Sequence, residues 1–79
     1  MHDFEERLSH LRKARRSVRP QDLDNLLHSA GFTGSPGRAQ DMVYSHPGLE
    51  APFAIPHGNP VLPTYVSRAI RAIEEVTAG

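Results

Sequence analysis

The sequence contains no cysteine, no tryptophan and no long apolar run. Without cysteine, the chain can form neither a disulfide bond nor a thiolate metal site. No run approaches the roughly 20 apolar residues that span a membrane, and the first residues lack the basic and apolar pattern of a secretion signal. We therefore expect a cytoplasmic protein that has no membrane partner.

The chain is also short, at 79 residues, which favours a single domain. A domain of this size buries a limited share of its surface, so a deep cavity for a cofactor is not expected. We predict no cofactor, and instead a shallow surface site or a partner interface. The sequence leaves the oligomeric state open.

Charge is balanced overall but not along the chain. The formal net charge is zero, which argues against a strong nucleic-acid binder. Six of the nine basic residues nevertheless lie between residues 7 and 19. Local charge governs contact with phosphates, so this segment is a candidate RNA-binding patch. A solvated basic helix end is the alternative interpretation. The six residues are Arg7, Arg12, Lys13, Arg15, Arg16 and Arg19.

Apolar residues recur at helical spacing in three segments. The first helix is predicted over 3–16, with a thin stripe of Phe4, Leu8 and Leu11, and could dock on the domain, dock on a partner or fray. The second is predicted from Pro20 to about Ala30, with Gly31 as its stop. The last is predicted to open at Pro63 or Thr64. The core-facing stripes of the later two are Leu23, Leu26, Leu27 and Ala30, and Val66, Ala69, Ile70 and Ile73.

Three short strands are predicted between the second and last helices. The first begins at Phe32 and Thr33, the second runs over 41–46 and the third runs over 53–55. Composition predicts a turn at 34–37. The connections are short enough for antiparallel pairing, so the fold class is α+β with one sheet face covered by helices. Alternation divides the middle strand into two faces, and either could be the core face. One face carries Asp41, Val43 and Ser45, and the other carries Met42, Tyr44 and His46.

No standard catalytic motif is present, and the spacing of the five histidines does not predict a metal site. His46 and His57 lie at strand ends beside turns, where functional residues often occur, although turn histidines without a function are also common there. Asp41 opens the middle strand, a position where aspartate is unusual. Capping of the preceding turn is the alternative role for Asp41.

From Pro20 to about Glu75 the chain resembles the HicA toxins of bacterial toxin–antitoxin pairs. The order and spacing of four pieces carry the resemblance. They are Leu26-Leu27-His28-Ser29-Ala30-Gly31-Phe32, Val43-Tyr44-Ser45-His46-Pro47, Ala54-Ile55-Pro56-His57 and Tyr65-Val66-Ser67-Arg68-Ala69-Ile70. The residues before Pro20 look like the extension of a longer subgroup. This divides the chain into an N-terminal basic helix and connector, 1–19, and a HicA-like domain, 20–77.

The resemblance implies a fold like that of a double-stranded RNA-binding domain: a three-stranded antiparallel sheet packed on two helices, here with an extra N-terminal helix. It also implies a toxin that binds mRNA and cleaves it as an endoribonuclease, with a HicB-like antitoxin covering its active site. Members of the family typically carry Gly-Ser-His or a close variant at the start of the middle strand, and that histidine is catalytic. Aligned on Tyr44-Ser45-His46-Pro47, the motif falls on Ala39-Gln40-Asp41, so Asp41 occupies the position of the histidine.

This replacement matters for the chemistry. A histidine near pH 7 can transfer a proton in either direction, whereas an ordinary aspartate is ionised and repels phosphate. Three interpretations stay open: a working toxin, a binding module that keeps RNA or antitoxin binding without cleavage, and a protein-interaction module with no role in RNA. An engineered change from histidine is a further explanation of Asp41. The predicted catalytic residues are Asp41, His46 and His57, and the predicted RNA-binding residues are Arg12, Lys13, Arg15, Arg16, Arg19 and Arg38.

Overall fold

The computed structural model of the chain describes residues 2–77, with side chains from residue 5 onward. Within that range the chain forms three α-helices, one 3₁₀ turn and three strands, in the predicted order of helix, helix, three strands and helix. The α+β class with a three-stranded antiparallel sheet is thus confirmed. The predicted role of the Phe4 side chain lies outside the described residues. The elements are α1 (His2–Lys13), the 3₁₀ turn (Arg15–Ser17), α2 (Pro20–Ser29), β1 (Thr33–Pro36), β2 (Asp41–Ser45), β3 (Phe53–Pro56) and α3 (Pro63–Thr77).

The first strand corrects the predicted turn at 34–37. The strand β1 pairs antiparallel with β2 and places Gly34 opposite Tyr44. A Cβ on Gly34 would come within 2.9 Å of the Tyr44 ring, so the missing side chain makes room for that ring. Pro36 ends β1 at the edge of the sheet, where a missing N–H is tolerated. Composition favours a turn here, but packing against the buried tyrosine favours a strand.

The structure also decides which face of the sheet is covered. Tyr44 and Ile55 are fully buried, and Met42 packs against the core. Side chains alternate along a strand, so Asp41, Val43 and Ser45 point away from the helices. The face that carries Asp41 is therefore the open face.

The helix α1 docks on the domain. Leu8, Leu11 and Val18 are buried in the same core as α2 and α3. The N–H of Val61 donates to the carbonyl of Val18, at 2.9 Å. The helix ends at Lys13 rather than at residue 16, because the 3₁₀ turn follows before Val18 enters the core. The described part of the predicted N-terminal segment and residues 20–77 thus share one hydrophobic core.

The end of α2 follows the prediction that Gly31 stops it. Gly31 has a φ of 92°, and the N–H groups of Gly31 and Phe32 donate to the carbonyls of His28 and Leu27, both at 3.0 Å. This is the Schellman pattern, in which a residue in the left-handed region closes the helix. Phe32 then enters the core, 3% exposed. The glycine therefore directs the chain from α2 into the sheet.

Replacing Gly31 with alanine is expected to lower the free energy of unfolding by about 1–2 kcal/mol, because a Cβ is strained in the left-handed region. The added carbon would also meet Nε2 of His46 at 3.2 Å. Urea denaturation of the variant measures the loss. Gly58→Ala is the matched control, since its Cβ would meet no atom closer than 3.6 Å. An equal loss in both variants would contradict the role given to Gly31.

Candidate functional site

A chain of hydrogen bonds joins α2 to the sheet through the hydroxyl of Tyr44. This hydroxyl lies 2.7 Å from Oδ1 of Asp24 and 2.9 Å from Nε2 of His57. The other carboxylate oxygen of Asp24 lies 3.3 Å from Nε2 of His28. Tyr44 itself is fully buried, whereas Asp24 and His57 are half-buried. Four titratable side chains from α2, β2 and the loop after β3 are thereby linked.

Burial sets the protonation of this chain at neutral pH. It raises the pKa of Tyr44 far above its ordinary value, and the hydrogen bond to Asp24 and the charge of Asp24 raise it further. Tyr44 therefore keeps its proton. Burial lowers the pKa of His57 below its ordinary value of 6.5, an effect that the charge of Asp24 partly opposes. His57 is thus mostly neutral at pH 7.

His57 lies at one edge of the sheet, together with two other predicted site residues. The backbone N–H of His57 donates to the carbonyl of Gln40, at 3.0 Å. Gln40 lies in the turn between β1 and β2, which also contains Arg38. Asp41 follows this turn and pairs with Pro56. We call this region, residues 38–41 and 56–58, the turn edge. The structure brings Arg38, Asp41 and His57 together there.

The side chains at the turn edge do not share one face. Asp41 points to the open face, as its alternation with Tyr44 requires. The ring of His57 lies on the helix side, stacked on the ring of Tyr44 with centroids 6.0 Å apart. A substrate group would have to reach around the edge to contact both the carboxylate and the imidazole.

His46 lies elsewhere, so the structure brings only two of the three predicted catalytic residues together. It follows the far end of β2, six residues from Gln40, which is roughly 20 Å at the rise of a strand. Its ring packs on Phe32 with centroids 4.9 Å apart, and its Nδ1 accepts the N–H of Gly48 at 2.9 Å. These contacts indicate that His46 stabilises the loop after β2, away from Asp41 and His57.

The predicted RNA-binding residues fall into two groups. Arg12 pairs with Glu74, and Nε of Arg19 lies 3.4 Å from a carboxylate oxygen of Asp22. These two charges are therefore partly offset. The others are exposed and have no ion-pair partner among the described side chains. They are Lys13, Arg15, Arg16 and Arg38.

Two further basic residues lie on α3 and were not in the predicted patch. Arg68 and Arg71 are exposed and line a shallow depression of about 380 Å³ together with Thr64 and Ser67. The segment 12–18 runs antiparallel to α3, since its ends contact Glu74 and Val61. This places the 3₁₀ turn beside the same stretch of α3. Arg15 and Arg16 thus lie on an element that packs against α3, although neither lines the depression. We call Arg15, Arg16, Arg68 and Arg71, on these two adjacent elements, the basic surface. The spacing of Arg68 and Arg71, three residues apart on the polar face of the last helix, could have indicated from the sequence that they lie side by side.

A larger groove of about 620 Å³ lies between α1 and α2. Glu6 and Asp22 line it as well as Arg7 and His10, so its charge is mixed. It contains none of the linked titratable residues described above. The turn edge and the basic surface are therefore the better candidates for function.

Metal binding and similarity to other proteins add no further assignment. Among the described side chains, no group of three or more His, Asp or Glu residues is placed to hold a metal ion. No helix within residues 2–77 is long and apolar enough to cross a membrane.

Comparisons with models of protein families, with curated proteins and with solved structures give no match. The resemblance to HicA toxins thus stays a prediction from the sequence.

Proposed function

We propose that the protein is a HicA-like toxin component that binds mRNA and cleaves it at the turn edge, with a HicB-like antitoxin as its partner. The observation that supports this most is the imidazole of His57, which is hydrogen-bonded to the buried Tyr44 beside a turn that carries Arg38 and Asp41. Cleavage through the 2′-hydroxyl of RNA requires a proton acceptor and positive charge near the phosphate. An imidazole supplies the first and a guanidinium the second.

The basic surface supports RNA as the bound polymer. Binding to a nucleic-acid backbone depends on cationic side chains that displace counterions from phosphates. The four arginines of this surface are exposed, and none is in an ion pair among the described residues. The zero net charge of the chain therefore conceals a local excess of positive charge.

A second candidate function is a binding module of the same fold that does not cleave RNA. The observation that favours it is the position of Asp41, whose carboxylate points to the open face while the ring of His57 lies on the helix side. An ionised carboxylate repels a phosphate and cannot donate a proton to a leaving oxygen. Such a module would still bind RNA or the antitoxin.

The deciding experiment compares wild type with Asp41→His in an assay of RNA cleavage. We expect both forms to bind RNA and the variant to cleave at least about 10²-fold faster, the scale of one proton-transferring group. The measurement is the single-turnover rate with labelled single-stranded RNA, beside an equilibrium titration at several salt concentrations. Asp22→His serves as the control for the cleavage rate, since it adds a histidine to the exposed part of α2 that lines the groove between α1 and α2.

Each outcome assigns one function. Cleavage by wild type supports the toxin and excludes the binding module. Cleavage by Asp41→His alone shows that the site survives and that Asp41 disables it, which supports the binding module for the wild-type chain. RNA binding without cleavage in either form supports the binding module. The absence of salt-dependent RNA binding in both forms would contradict any role in RNA and would favour a protein-interaction module.

A further inference from the structure

The hydroxyl of Tyr44 has one proton and two neighbours that compete for it. Asp24 is the nearer, and its Oδ1 accepts the hydrogen bond from the phenolic O–H at 2.7 Å. His57 is at 2.9 Å through Nε2, a ring nitrogen that can donate or accept. Since the single proton goes to the carboxylate, the phenolic oxygen is left to accept. Nε2 must then be the nitrogen that carries a proton.

We propose that Asp24 and Tyr44 are positioning residues that hold the proton of the neutral His57 ring on Nε2 and leave Nδ1 as the nitrogen that accepts a proton from the substrate. This inference rests on the proposed function for its substrate, the 2′-hydroxyl of RNA. The assignment of the ring tautomer itself rests only on the geometry of the hydrogen bonds. The contact between Tyr44 and His57 also fixes the orientation of the ring.

Nδ1 of His57 is free to take up this role. Among the described residues, none makes a hydrogen bond to it, in contrast to Nε2. No buried side-chain nitrogen or oxygen in the described part of the chain lacks a partner. Since Nδ1 has no such partner, it reaches solvent rather than the closed core. A substrate that approaches the turn edge from solvent therefore meets the lone pair of Nδ1.

The 2′-oxygen forms a bond to the adjacent phosphorus as its proton moves to Nδ1, and the bond from phosphorus to the 5′-oxygen breaks. The leaving 5′-oxygen takes a proton from solvent water, and the products are a 2′,3′-cyclic phosphate and a 5′-hydroxyl. The ring then carries protons on both nitrogens, with Nε2 still donating to Tyr44, until Nδ1 returns its proton to solvent. The carboxylate of Asp24 lies across the tyrosine and stabilises the transient positive charge.

Nuclear magnetic resonance of the ¹⁵N-labelled histidine ring tests the tautomer directly. In wild type, at a pH above the pKa of His57, we expect a protonated, pyrrole-type Nε2 and an unprotonated, pyridine-type Nδ1. In Asp24→Ala the proton of Tyr44 is free to turn to Nε2, so the ring should shift to the tautomer with its proton on Nδ1. Asp22→Ala, on the exposed side of the same helix, is the matched control and should keep the wild-type tautomer. Tyr44→Phe keeps the buried ring and should give a mixture of both tautomers.

The rate measurements separate positioning from substrate binding. In whichever form cleaves RNA, Asp24→Ala should lower kcat about tenfold or more with little change in KM, and should change the pH dependence of kcat. Asp22→Ala should leave kcat and its pH dependence unchanged, and a change in KM would report on Arg19, its ion-pair partner. A wild-type ring with its proton mainly on Nδ1, or an unchanged tautomer in Asp24→Ala, would overturn the inference whether or not RNA is cleaved. The expected tautomers in a protein that never cleaves RNA would instead overturn the role of Nδ1 and the proposed cleavage, while the assigned tautomer would stand.

Discussion

Replacing His57 with alanine is expected to lower the rate of RNA cleavage by about 10²–10⁴-fold, the contribution of a positioned acid–base group. RNA binding should change little, because the basic surface lies on the 3₁₀ turn and α3 rather than at the turn edge. Single-turnover cleavage and an equilibrium titration, in wild type or Asp41→His according to which form cleaves, measure the two effects separately. A parallel loss of cleavage and binding would mean that His57 only positions RNA.

His46→Ala is the natural control for this prediction, because His46 is the other histidine that the sequence placed at a strand end. Its ring packs on Phe32 and accepts a hydrogen bond from Gly48. Its loss should therefore affect stability more than chemistry, and each folded molecule should cleave at nearly the original rate. If the two variants lose cleavage equally, the confinement of the chemistry to the turn edge is wrong.

Replacing Tyr44 with alanine is expected to lower the free energy of unfolding by about 3–5 kcal/mol, the usual cost of removing a buried aromatic ring. The ring is fully buried and contacts Phe53 with centroids 5.9 Å apart, and Gly34 leaves space for it. A chain of 79 residues has a total stability of roughly 4–12 kcal/mol. The loss would thus be a large share of the whole, and urea denaturation of the variant would measure it.

The second tyrosine provides the comparison. Tyr65 is half-buried on α3, where its ring lies 5.8 Å from the guanidinium carbon of Arg68. Tyr65→Ala should cost about 1 kcal/mol, as expected for a position with partial exposure. Tyr44→Phe should fall between the two, because it keeps the ring but removes the partner of the Asp24 carboxylate, at about 1.5–3 kcal/mol. Equal costs for the two alanine variants would contradict the central place of Tyr44 in the core.

The helices were the most predictable part of the fold because their signals are local. Pro20 and Gly31 bracket α2, and apolar spacing alone identified the buried stripe of α3. The start of β1 was predicted at Thr33, but its extent to Pro36 was not. Its sequence, from Thr33 to Pro36, has the composition of a turn, and only the large ring across the sheet explains why Gly34 belongs in a strand.

The candidate site was predictable only in part. The sequence named Arg38, Asp41 and His57, which the antiparallel register brings to one edge. The same register separates His46 from His57. Each follows the C-terminal end of its strand, and antiparallel neighbours place these ends at opposite edges of the sheet. Since antiparallel pairing was predicted from the sequence, the separation of His46 and His57 could have been predicted as well.

The contribution of Asp24 was not predictable from the sequence. It is 20 residues from Tyr44, and their contact depends on how α2 packs over the sheet. No motif or spacing in the sequence indicates that packing. The hydrogen bonds that fix the ring of His57 therefore became visible only in the folded chain.

The burial of Leu8, Leu11 and Val18 has a consequence for any attempt to shorten the protein. A chain that starts at Pro20 would keep α2, the sheet and α3, yet it would lack three side chains of the common core and the backbone partner of Val61. Such a truncation would expose apolar surface on α2 and α3 and would also delete Arg15 and Arg16. A loss of RNA binding after truncation would then report on folding as much as on charge. Charge-neutralising substitutions within the 79-residue chain are the cleaner way to examine the basic segment.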